Sequence, residues 1–155
     1  MLYLKRLTSY LLMVSLLMIL CSCKWEETPP TYEEIEKIFQ RDQEKIRIVL
    51  KYLEDSAYSN ICIEKADGKM TSGRKVIPIE DTEVNEAISY LLLRRDYEAI
   101  CKHKFTMEFR VWSGILVHLC CGMTYTTRSR MLPEVPYIDE IEGLSAPQWY
   151  YYTAR

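Results

Sequence analysis

The alternation of apolar and polar positions divides the chain into an apolar head, a short polar stretch and a body of mixed periodicity. In the body, Ile35, Ile38, Phe39, Ile46, Val49, Leu50 and Leu53 recur at helical spacing, with Glu, Lys, Arg and Gln between them. The spacing predicts an amphipathic helix of roughly six turns. Thr31 and Glu34 stand at the separation of a capping box, and Pro29 and Pro30 cannot carry a helix backward, so the start falls at Thr31. A second helix is expected after a cap at Asp81 or Thr82, running to about Arg95, with Val84, Ile88, Leu91 and Leu92 as its buried stripe.

Period-two alternation marks the strands. Phe105, Met107, Phe109 and Val111 alternate with Thr106, Glu108, Arg110 and Trp112, the pattern of a half-buried strand showing one face to water. Residues 97–102 form the strand before it, turning back at His103-Lys104, and the largely apolar residues 115–123 form the strand after it. A three-residue loop over 112–114, with Gly114 at positive φ, would set Val111 against Ile115, Phe109 against Val117 and Met107 against Leu119. That register gathers the large apolar side chains on one face and puts His118 opposite Glu108.

Residues 60–64 and 75–79 read as two short strands joined by a loop whose turn residues are Asp67-Gly68 and Ser72-Gly73. Residues 124–143, with Pro133, Pro136 and the acidic Asp139, Glu140 and Glu142, read as irregular, and 149–153 as a closing aromatic strand. The expected fold class is α+β, with two amphipathic helices packed on one face of a mostly antiparallel sheet of about five to six strands.

The head changes the picture of where this domain resides. Lys5 and Arg6 precede an apolar run from Leu7 to Leu20, and no acid interrupts it. At about 14 residues the run is shorter than the roughly 20 needed to cross a hydrocarbon layer, so it has the layout of a cleaved secretory signal. It ends in Leu20-Cys21-Ser22-Cys23: a Leu three positions before a cysteine, a small residue just before it, and the cysteine. This resembles the lipobox of bacterial lipoproteins. The resemblance covers the first 23 residues alone. It implies cleavage before Cys23, a thioether-linked diacylglycerol on its sulfur and a further acyl chain such as palmitate on the new amino terminus. Cys21 fits less well, because Leu20 would occupy the position that takes a small side chain.

The domain organisation expected is therefore a lipoprotein signal peptide over 1–22, a tether over 23–30 and a single α+β domain over 31–155. Two or more acyl chains hold a protein firmly to a bilayer. The implied address is the extracytoplasmic face of the bacterial cell membrane or outer membrane. Extended at about 3.3 Å per residue, Lys24 to Pro30 spans roughly 25 Å, which keeps the domain close to the lipid.

Beyond residue 23 the chain carries 18 basic and 22 acidic residues, a net charge of −4 that disfavours nucleic acid as a partner. Four cysteines remain besides the lipid site: Cys62, Cys101, Cys120 and Cys121. An extracytoplasmic address permits a disulfide. Cys101 and Cys120 or Cys121 lie on strands separated by an intervening one, about 9.6 Å apart and beyond disulfide reach. Cys62 stays open as a partner.

The candidate chemistry is sparse. Cys101 with His103, and His118 with Cys120, give a Cys-X-His and a His-X-Cys pair of the types that ligate zinc. The same strand separation works against their meeting, and no cofactor is expected. Nor does the chain carry a Gly-rich phosphate loop or a G-x-S-x-G turn, so a cysteine beside His103 or His118 is the route left to an enzyme. Trp149, Tyr150, Tyr151 and Tyr152 could bind a peptide or glycan if their strand lies at a sheet edge. The reading that results is a membrane-anchored binding module of inhibitor, immunity or assembly-accessory type with a protein or glycan partner. Its alternative is a small envelope enzyme of cysteine or zinc type.

Overall fold

The computed structural model describes residues 28–114, 119–128 and 137–155. The signal, Cys23 and most of the tether lie outside the described residues, as do His118, Pro133 and Pro136. No helix among the described residues is long and apolar enough to cross a membrane.

Helix α1 spans Tyr32–Asp55 and begins with the expected capping box, in which the Thr31 N–H donates to Glu34 Oε2 at 2.8 Å and the Glu34 N–H donates to Thr31 Oγ1 at 3.4 Å. Its buried stripe is Ile35, Phe39, Asp42, Ile46, Val49, Leu50 and Leu53, which inserts a carboxylate among the apolar positions. Lys102 closes the other end: its Nζ donates to the carbonyls of Leu53 and Ser56 at 2.6 and 3.0 Å, serving acceptors that the helix leaves over.

Helix α2, Thr82–Ser89, is capped by the Asp81 side chain and passes into a π-helical turn over Tyr90–Arg94. The chain leaves that turn through Asp96, whose φ of 65° lies in the left-handed region that Asp tolerates better than most residues. Asp42 holds this junction. It accepts two hydrogen bonds from Arg41 at 2.9 and 2.6 Å and one from Tyr97 Oη at 3.2 Å, with Arg95 Nε at 3.3 Å.

The strands are β1 (Ile61–Glu64), β2 (Met70–Ser72), β3 (Lys75–Val76), β4 (Ala99–Lys102), β5 (Met107–Gly114), β6 (Leu119–Tyr125), β7 (Ile138–Gly143) and β8 (Trp149–Ala154). They form one antiparallel sheet in the order β3-β2-β1-β4-β5-β6-β8-β7. The α+β class holds, but the sheet has 8 strands and not five to six. The two additions are β2, three residues inside the segment expected to be a loop, and β7, inside the stretch expected to be irregular. Both are poor in apolar residues, so neither carries the alternation that a one-sided strand shows. β7 forms one edge, and its exposed Asp139, Glu140 and Glu142 suit an edge that must not pair with another chain.

α1 lies against β5, β6 and β8, and α2 packs along α1. Ile61, Ile63, Met70, Ile100, Phe109, Met123 and Trp149 join both helices in one core. Trp149 sits at its centre, with ring centroids 4.9 Å from Phe39 and 5.7 Å from Phe109.

The β5–β6 register differs from the expected one. Gly114 pairs with Leu119, Phe109 with Met123 and Met107 with Tyr125, and Ile115 and Val117 of the expected register lie outside the described residues. Gly114 ends a strand where it was expected to make the turn. A bulge at Val111 shifts the pairing by one residue, and the apolar face is completed by Met123 and Tyr125. Glu108 consequently faces Thr124, not His118. Gly122 lets the two strands approach at this point: a Cβ there would lie 2.3 Å from the Phe109 carbonyl oxygen.

Candidate functional site

The face of the sheet opposite α1 carries no helix among the described residues, and alternation along β5 directs Glu108 and Arg110 to it. The sequence pattern assigns this face to water. The structure corrects that expectation, because Thr106 and Glu108 are each 3% exposed. Glu108 accepts a hydrogen bond from Tyr137 Oη at 2.6 Å and one from Thr106 Oγ1 at 3.4 Å, and His103 Nε2 stands 3.7 Å away. Tyr137 is held over the sheet by its own carbonyl, which accepts from the Arg155 N–H at 3.1 Å. Burial and the Glu108 carboxylate both push the Tyr137 phenol upward, so it stays protonated and donates.

Arg110 lies two residues further along. Among the described residues it has no ion-pair or hydrogen-bond partner, and its Nε is sealed from solvent. On β8, Tyr152 is 0% exposed and its hydroxyl likewise has no partner among the described residues. Gly122 separates the two in the sheet, pairing with Arg110 on one side and Tyr152 on the other. Burial drives the Tyr152 phenol well upward, and the nearby Arg110 guanidinium opposes that rise. The Thr124 hydroxyl is a third buried group on this face without a partner among the described residues.

A cavity of about 480 Å³ opens on this face, lined by His103, Glu108, Arg110, Cys120, Tyr137 and Arg155 among others. That volume is in the range of small-ligand sites. A groove of about 650 Å³ between α1 and α2 is larger but contains none of these unpartnered groups.

The residues singled out from sequence are distributed unevenly. Cys101 is joined to Cys62 by a disulfide across β1 and β4, where the two residues are directly paired with Cα atoms 4.1 Å apart. That removes its thiolate from any metal set. His118 lies outside the described residues, while His103 and Cys120 line the cavity together. No group of three or more His, Cys, Asp or Glu able to hold a metal ion is present among the described residues. Burial pushes the Cys120 thiol upward against the opposing pull of Arg110, the reverse of what a nucleophilic thiolate needs. Cys121 points to the core and is pushed up to about 12 by burial.

The aromatic strand β8 is flanked by β6 and β7 and is therefore not the edge that an added peptide strand would require. Trp149 is in the core, Tyr151 packs beside it, Tyr150 is half-buried, and Tyr152 alone reaches the polar face as a buried group.

Arg110 and Tyr137 were not singled out from sequence. Glu108 and Arg110 at i and i+2 give the one legible signal, a pair of charges on a common strand face, and the same pattern describes an ordinary wet surface. No protein-family model, no curated protein and no solved structure matches the chain.

Proposed function

We propose that the chain is a lipid-anchored extracytoplasmic lipoprotein, modified at Cys23, whose domain is a binding module. On this reading the cavity lined by Glu108 and Arg110 receives the ligand. The observation that carries it is Arg110, which lines the cavity part-buried and without an ion-pair partner among the described residues. A fold gains nothing from leaving such a group unmatched, whereas a binding surface keeps it available. The Cys62–Cys101 disulfide supports an oxidising compartment and hence the address that the lipobox resemblance implies.

The partner is a protein or glycan, or a smaller molecule presenting the same chemistry, and the role is of inhibitor, immunity or assembly-accessory type. Crosslinking in intact cells is expected to capture such a partner. The anchor is tested by Cys23→Ala, which should leave an uncleaved precursor that takes up no labelled palmitate. Continued acylation and cleavage of that variant would refute the assignment of Cys23.

A further inference from the structure

We infer that the cavity on the polar face takes a carboxylate, with Arg110 as its counter-ion. The inference deepens the binding-module reading and rests on it. Arg110 is part-buried and has no carboxylate within ion-pair distance among the described residues, although it lines a cavity large enough for a small acid. Burial opposes the charge of Arg110, and Tyr152, Cys120 and Glu108 nearby favour it, but no carboxylate among the described residues is in ion-pair contact with it. The nearest acid on the same strand face, Glu108, is already engaged by Tyr137 and Thr106 and has His103 beside it. Arg155, the other cation at the cavity, has its Nε 3.3 Å from Asp139.

The remaining positive charge is a single guanidinium, whose planar fork matches the two oxygens of a carboxylate. A phosphate dianion fits less well, since its second charge would lie near Glu108 and the other cation at the cavity, Arg155, already stands beside Asp139. Two sources share this chemistry: a free small acid and the C-terminal carboxylate of a peptide.

The test uses the full chain in detergent micelles, labelled with ¹⁵N-arginine. The Arg110 Nε–H resonance is followed while sodium benzoate, N-acetyl-dialanine, the C-terminal amide of that peptide, or inorganic phosphate is added. A saturable shift with benzoate or the free-acid peptide is expected, with the amide and phosphate at least tenfold weaker. Tighter binding of the peptide assigns a protein C terminus, and tighter binding of benzoate assigns a small acid. Arg110→Gln should weaken the better ligand at least tenfold, and Arg110→Lys should restore part of the loss.

No saturable shift of Arg110 at millimolar carboxylate, or a preference for phosphate, would overturn the inference without relying on any variant. If crosslinking in cells captures a partner equally well with Arg110→Gln, the carboxylate site is wrong and the binding-module reading survives. Failure of the wild type to capture anything, together with an unresponsive Arg110, removes both.

Discussion

Asp42 and Cys120 show how much single positions decide in this domain. Asp42 occupies a core position of α1, and its carboxylate ties Arg41, Arg95 and Tyr97 together across the helix and the π-helical turn. Replacing it with Ala orphans the buried Tyr97 hydroxyl and strands two arginines, which can still reach water. The cost should therefore fall below that of a wholly buried pair, about 2–3 kcal/mol in urea unfolding. A change under about 0.5 kcal/mol would mean that the cluster is ornamental. Cys120 and Cys121 differ in exposure but share a direction of shift. Because a raised pKa lowers the thiolate fraction, both should react with iodoacetamide at pH 8 more slowly than an ordinary exposed cysteine, with Cys121 the slower. Mass spectrometry of the native protein after timed labelling checks the order.

Local chemistry at the element scale was largely readable in the sequence. Thr31 and Glu34 announce α1, Asp81 announces α2, and the alternation from Met107 to Val111 announces β5. Register was less legible, because it depends on a bulge at Val111 and on Gly122, and neither leaves a periodic trace. β7 was illegible for a related reason: an edge strand bearing three acids has the composition of a loop, and its pairing with β8 supplies what its sequence lacks. The polar site shared that fate. Glu108 and Arg110 have the pattern of surface residues, and burial came from chain segments distant in sequence, Tyr137 and β8 among them. Gly122 gives the sharpest test of this register. Gly122→Ala places a methyl group against the Phe109 carbonyl and the Arg110 backbone, neither of which can rotate away, so it should cost about 2–3 kcal/mol or more. A neutral effect would contradict the β5–β6 pairing.

For the molecule as a whole, the two faces of the sheet divide the work. The face under α1 provides the core, with Phe39, Phe109 and Trp149 at its centre, and the Cys62–Cys101 bridge closes 39 residues of chain, worth about 4 kcal/mol in a loop-entropy account. The other face carries the charged and hydroxyl groups that the core does not need. On the proposal above, Arg110 is retained for a ligand and not for the fold. Equilibrium urea unfolding of Arg110→Met measures this directly and requires no knowledge of the ligand. If Arg110 awaits a ligand, the variant should be as stable as the wild type or up to about 1 kcal/mol more stable, since the substitution removes a part-buried charge that has no ion-pair partner among the described residues. A loss of more than about 2 kcal/mol would show that Arg110 holds the domain together, and would contradict the assignment of this face as the binding site.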